Sequence, residues 1–253
     1  MPIDYARRLT GSQRSVRANR HLGVALAFVA GAINAGGFLA VKQYTSHMTG
    51  ILSAMTDDLA LGAYDFALAG AGALLSFLVG AATSAVMVNY ARRHQLQGEY
   101  AFPLLLEAFL LLGFGVLGAR LSAINGLFVP VTVMLLCFIM GLQNAVITKV
   151  SAMEIRTTHV TGMITDIGIE LGKLFYWNGK GSAQQPRVLA NRDRLDFLSL
   201  MVSAFFLGGI TGAFGFRYLG YLSTVPLALI LIALAVVPAV DDVVRLFNRR
   251  KYD

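Results

Sequence analysis

The sequence predicts an all-α membrane protein of about six transmembrane helices, built as two three-helix repeats of inverted topology. A half-helix or re-entrant segment is expected after helices 1 and 4. The prediction rests on too few charges for a soluble surface, uncharged stretches of membrane-crossing length, and a motif pair that occurs twice. Hydrophobic residues fill 56% of the 253 positions and charged residues 14%, against about 25% charged in ordinary soluble domains. Lipid must therefore solvate much of the surface.

A hydrocarbon core about 30 Å thick is crossed by about 20 helical residues. Stretches of that order lie at 22–41, 66–88, 101–119, 121–148, 197–216 and 218–240, the third interrupted only by Glu107. The chain then divides into a basic N-terminal segment 1–20, a first repeat 21–119, a second repeat 120–240 with a loop near 173–194, and a tail 241–253. The arginine-rich start resembles a targeting segment, but the long apolar run and the further spans behind it favour a retained anchor. The single Cys137 lies within an apolar span and allows no internal disulfide.

A net charge of +7 invites a nucleic-acid reading, yet the basic residues follow topology instead. With the N-terminus in the cytoplasm, only Lys42, Arg120 and Arg217 of the 21 basic residues fall outside. Both termini are thus expected to be cytoplasmic, as the positive-inside rule requires. No nucleic-acid partner is expected. The loop around Trp177 reads as a flexible basic connection able to touch anionic lipid.

The repeat is legible residue by residue. Gly31-Ala32-Ile33-Asn34-Ala35 precedes His47-Met48-Thr49-Gly50, and Gly141-Leu142-Gln143-Asn144-Ala145 precedes His159-Val160-Thr161-Gly162. The stretch 77–85 (FLVGAATSA) aligns with 205–213 (FFLGGITGA), and Pro103-Leu104 with Pro226-Leu227. Because each copy holds an odd number of spans, the second must enter the membrane from the opposite side. Treating the polar segment 43–62 as a full crossing would put Arg92 and Arg93 outside, against the charge rule, so it and its counterpart 151–172 read as half-helices or interfacial segments. Thr45 or Ser46, and Thr157 or Thr158, stand where their N-caps are expected. Asp58 and Glu170 each lie eleven residues beyond a motif histidine.

A duplicated G-x-x-N-A and T-G pattern in a chain of this length resembles the YoaK-like family of uncharacterised bacterial inner-membrane proteins. The resemblance covers about residues 21–240. It implies the same helical membrane fold and a bacterial cytoplasmic membrane location, and it implies no activity.

Function must be sought in the polar residues of the spans. Asn34 and Asn144 either hydrogen-bond across helices as packing glue or line a wet cavity. His47 and His159, with Thr49, Gly50, Thr161 and Gly162, either close a re-entrant turn or present donors and free helix-start amides to an anion. Glu107 is either a proton-coupling carboxyl or reaches the interface to pair with Arg92 or Arg93. Small residues at Gly72, Ser76, Gly80 and Ser84, and at Gly208 and Gly212, form faces for close packing between repeats or between subunits of a homo-oligomer. Two histidines and distant carboxylates make a poor zinc site, and no cofactor is expected.

No G-x-x-x-x-G-K-[ST], G-x-S-x-G or H-E-x-x-H occurs, so neither an ATP-driven pump nor a familiar hydrolase is indicated. The expectation is a secondary transporter or channel for a small anionic or polar solute bound between the repeats. The alternative is a non-transporting structural or interaction protein, with an enzyme third. The topology is testable by single cysteines at His94 and Ala183 in a Cys137→Ala background. An impermeant thiol reagent outside intact cells should leave both unmodified, and strong labelling of either would overturn the six-span assignment.

Overall fold

A computed structural model describes residues 16–121, 128–150, 160–178 and 187–249. Its elements are α1 (Val16–Val41), α2 (Met48–Ala60), α3 (Tyr64–Arg93), α4 (Ala101–Leu121), α5 (Phe128–Val150), α6 (Val160–Phe175), α7 (Arg192–Leu219), a 3-10 turn (Gly220–Ser223) and α8 (Thr224–Arg249). The described residues form no strand. Among the described residues, five helical runs are long and apolar enough to cross a membrane, the last being Arg192–Val244. The 3-10 turn lies inside that last run and divides it into α7 and α8.

Two expected boundaries move. Leu121 ends α4 rather than opening the next span, which begins at Phe128. Tyr218 belongs to α7, and the final helix starts at Thr224. Gly220 explains the second shift: its φ of 59° and ψ of −139° lie where a helix cannot continue and an L side chain is strained. Arg217, expected in a loop, sits in the last turn of α7 with its guanidinium 5.7 Å from the Tyr218 ring centroid.

Short helices follow α1 and α5, as expected. With 13 and 16 residues, α2 and α6 fall short of the roughly 20 needed to cross. They lie against α3 and α7 respectively.

Lipid competes equally well for apolar side chains, so helix association in a membrane depends on close packing. In this fold α1 packs chiefly on α7, and α3 on α5. A methyl group at Gly31 would fall on the Phe205 carbonyl, and one at Gly141 on the Phe77 carbonyl. Likewise Gly208 meets the Phe28 carbonyl and Gly80 the Phe138 carbonyl. Under the sequence repeat, Gly31 corresponds to Gly141, Phe77 to Phe205, Gly80 to Gly208 and Phe28 to Phe138. The same backbone crossing is therefore made twice, each time between the first helix of one copy and the second full helix of the other.

The third helices, α4 and α8, pack on each other through buried Leu104, Ala108 and Leu111 against Leu227, Ala228 and Leu231. Near the far end of α8, buried Asp242 accepts hydrogen bonds from the amides of Gln97 and Gly98, both 2.7 Å, and so ties down the turn before α4. Outward faces stay apolar: Leu68 on α3 is 73% exposed and Phe206 on α7 is 65% exposed. Such faces suit lipid. Cys137 is a buried free thiol of α5.

These crossings give a controlled test. Gly31→Ala and Gly141→Ala should each lower the melting temperature in detergent, since overpacking costs about 1–3 kcal/mol. Gly113→Ala and Gly168→Ala, where an added methyl meets nothing within 4 Å, should be neutral or stabilising by up to about 1 kcal/mol. Equal melting of all four variants would contradict the crossings.

Candidate functional site

Asn34 and Asn144 each follow a crossing glycine by three residues, which sets them almost one turn along the same helix side. Both line a single cavity of about 740 Å³, within the 300–1,000 Å³ range of small-molecule sites. Thr49 and Thr161 line it too, from the first turns of α2 and α6. So do Ala30 and Met140, one turn before the asparagines, and Phe77 and Phe205, whose carbonyls receive the crossing glycines. Each of these pairs occupies equivalent places in the two sequence copies.

His47 and Gly162 complete the predicted members among the described residues. His159 lies outside the described residues, as do Thr157 and Thr158. Gly50 lines a second, adjoining recess instead. There the His47 ring lies against it, with Nδ1 2.6 Å from where a Gly50 Cβ would stand, so a side chain at 50 would displace the imidazole.

The turn that carries His47 is built differently from the expectation. Lys42 takes a φ of 58° and its amide bonds the Phe38 carbonyl at 2.7 Å, which turns the chain sharply at the end of α1. Ser46 does not cap α2. Its hydroxyl donates to Asn34 Oδ1 at 2.8 Å, and Thr45 is fully buried with Oγ1 unpartnered among the described residues. His47 occupies the N-cap position and makes no side-chain cap bond. The Met48, Thr49 and Gly50 amides are thus first-turn donors, for which a helix supplies no internal acceptor.

Glu107 is completely buried, and neither carboxyl oxygen has a hydrogen-bond partner among the described residues. The expected alternative, pairing with Arg92 or Arg93, is not made. Glu107 shares the core-facing stripe of α4 with Leu104, Ala108 and Leu111 and so points into the protein. Arg92 is engaged elsewhere, with Glu99 Oε2 at 3.1 Å and the Tyr100 hydroxyl at 3.1 Å. Glu107 lines neither cavity described here.

Sequence reasoning missed Tyr44 and Ser46, which line the main cavity, and the two phenylalanines. The phenylalanines were findable, because they open the aligned stretches 77–85 and 205–213.

At the base of α6, Glu170 accepts from Lys173 Nζ at 2.8 Å and from the Asn191 amide at 2.8 Å. Asp166 bonds Arg194 at 2.9 Å, and the Asn191 side chain caps α7 by accepting from the Arg194 amide at 3.0 Å. These bonds fix α6 on α7 and so hold Thr161 at the cavity. The Lys173 hydrogen bond first, then the Asn191 amide, hold the Glu170 carboxyl below its ordinary value.

The sequence profile of the family described as "protein of unknown function (DUF1275)" matches residues 22–237. That stretch contains every residue named above as lining the central cavity. Among curated proteins and among solved structures, none matches.

A carboxyl whose folded value is depressed adds stability above its unfolded value, and that stability is lost as pH falls through the folded value. Glu170→Gln should therefore melt at a lower temperature than the parent at neutral pH. The difference should shrink as pH drops below the ordinary 4.5. A difference that is constant from pH 7 to well below that value would show that Glu170 does not act through its charge.

Proposed function

The chain belongs to the DUF1275 family, a membership that brings no activity with it, and we propose that it is a small secondary transporter or channel of the bacterial cytoplasmic membrane. Counting α7 and α8 as separate crossings gives six spans, arranged as two inverted repeats with both termini inside. The resemblance to YoaK-like proteins is consistent with the family match. The solute is small and anionic or polar, and it binds between the repeats.

One observation carries this reading: equivalent residues of both sequence copies wall one cavity of about 740 Å³. Packing glue alone would not require the two asparagines and the two motif threonines to converge on open space. Supporting it further, the Gly31–Phe205 and Gly141–Phe77 contacts are reciprocal, as expected of copies related by a pseudo-two-fold axis.

In this site Asn34 and Asn144 donate and accept at the centre. Thr49 and Thr161 offer hydroxyls, and the starts of α2 and α6 offer free amides and the positive end of the helix dipole. His47 adds a further donor at the start of α2, and His159 belongs to the corresponding motif of the second copy. Glu107, buried in the neighbouring helix pair, serves proton coupling rather than solute contact.

Thermal-shift and flux measurements with formate, acetate and inorganic phosphate test this. The double variant His47→Gln, His159→Gln should fold and bind the active anion at least about tenfold more weakly. Glu107→Gln should change proton coupling with little effect on binding. A folded double-histidine variant with unchanged affinity would return both histidines to a purely structural role.

A further inference from the structure

The central cavity has a neighbour. A recess of about 480 Å³ lies between the end of α1, α2 and the start of α3, and its polar members include Lys42, Gln43 and Asp58. Tyr44 and His47 line both spaces. They therefore form the partition, and both belong to the segment joining α1 to α2.

That segment is held at a few identifiable points. The Tyr44 ring stacks on Phe38, with centroids 4.5 Å apart and planes at 21°. Ser46 Oγ bonds Asn34 Oδ1. Thr45, between them, keeps a fully buried hydroxyl without a partner among the described residues, which is costly in this arrangement. Lys42, at the hinge end, occupies the left-handed region that a non-glycine residue adopts only under local constraint. Tyr44 and His47 are themselves exposed, so either ring can swing without opening a void in the core. Among the described residues, the segment thus combines a left-handed hinge residue, a buried hydroxyl without a partner and one side-chain hydrogen bond to α1.

We propose that the recess is an outer vestibule and that the segment Tyr44–His47 is the gate between it and the central cavity, latched shut by the Ser46–Asn34 hydrogen bond. The proposal rests on the central cavity being a solute site, and it deepens that reading. Asn34 Oδ1 is the acceptor that the latch occupies, so a solute that donates to Asn34 competes with Ser46 and favours the open position. Binding and gating then share one atom, and the solute shifts the gate only through that difference in contacts. Lys42 and Asp58 at the vestibule wall offer one charge of each sign, which suits a small polar solute carrying hydrogen-bonding groups at both ends.

The experiment reads access rather than transport. Thr161→Cys is placed in the central cavity of a Cys137→Ala chain, and an impermeant methanethiosulfonate reagent is added outside spheroplasts. Leu61→Cys, on the exposed turn after α2, is the control. Loss of one neutral hydrogen bond shifts a two-position equilibrium by about fivefold, so Ser46→Ala should raise the labelling rate at 161 by about that factor. Asn34→Ala, which breaks the same latch from its other side, should do likewise should the serine variant fold poorly. Ala54→Trp, filling the recess, should suppress labelling at 161 and leave position 61 unchanged. Equal rates at 161 with and without the latch, or labelling that persists past Trp at 54, would overturn the gate. Faster labelling in a protein that moves no solute would uphold the gate and defeat the transport reading. Solute flux with unaltered labelling would do the reverse.

Discussion

Where α1 crosses α7, and again where α3 crosses α5, backbone meets backbone with no side chain between. Gly31, Gly208, Gly141 and Gly80 each stand where a methyl would strike a main-chain carbonyl of the facing helix. In water, burial of apolar area would hold such helices together. In lipid that term largely cancels, and close packing at small residues takes its place. The remaining architecture depends on these contacts, because they join the first helix of each sequence copy to the other copy. Neither copy closes a core by itself.

The site follows from the crossings. Asn34 and Asn144 are three residues beyond Gly31 and Gly141, so the glycines that seat the helices also bring the amides to one cavity. Phe205 and Phe77 act twice, giving their carbonyls to the crossing and their side of the helix to the cavity wall. The short helices α2 and α6 supply the other walls and are anchored differently. Ser46 ties the start of α2 to Asn34, whereas Glu170 and Asp166 tie α6 to the start of α7. The two sides of the cavity are alike in motif and unlike in attachment.

Much of this was legible in the sequence. Length and apolar patterning located the long helices, and the doubled G-x-x-N-A and H-x-T-G pattern named Asn34, His47, Thr49, Asn144 and Thr161 of the cavity wall. Correspondence between copies does not say which helix meets which, however. The exchange of partners between α1, α7, α3 and α5 depends on the three-dimensional fit of glycine to carbonyl. The N-cap of α2 was misassigned because Ser46 has a competing acceptor, Asn34, twelve residues away. Glu107 sits only a few residues inside its helix, which invited an interfacial reading. Its side chain lies instead on the buried Leu104, Ala108 and Leu111 stripe and makes no pair with Arg92 or Arg93. Gly220 was hidden among many apolar-span glycines, and only its positive φ marks it as the break between α7 and α8.

The central claim is that Thr49 and Thr161, in the first turns of α2 and α6, line one cavity between the two copies. Its most direct test is a cysteine pair, Thr49→Cys with Thr161→Cys, in the Cys137→Ala chain, treated with a short bifunctional methanethiosulfonate. The account predicts an intramolecular link: one reagent added per chain, both thiols consumed, and no link when Leu61→Cys replaces Thr49→Cys. Two independently modified thiols in the Thr49–Thr161 pair, with no link formed at any reagent length that fits the cavity, would contradict it.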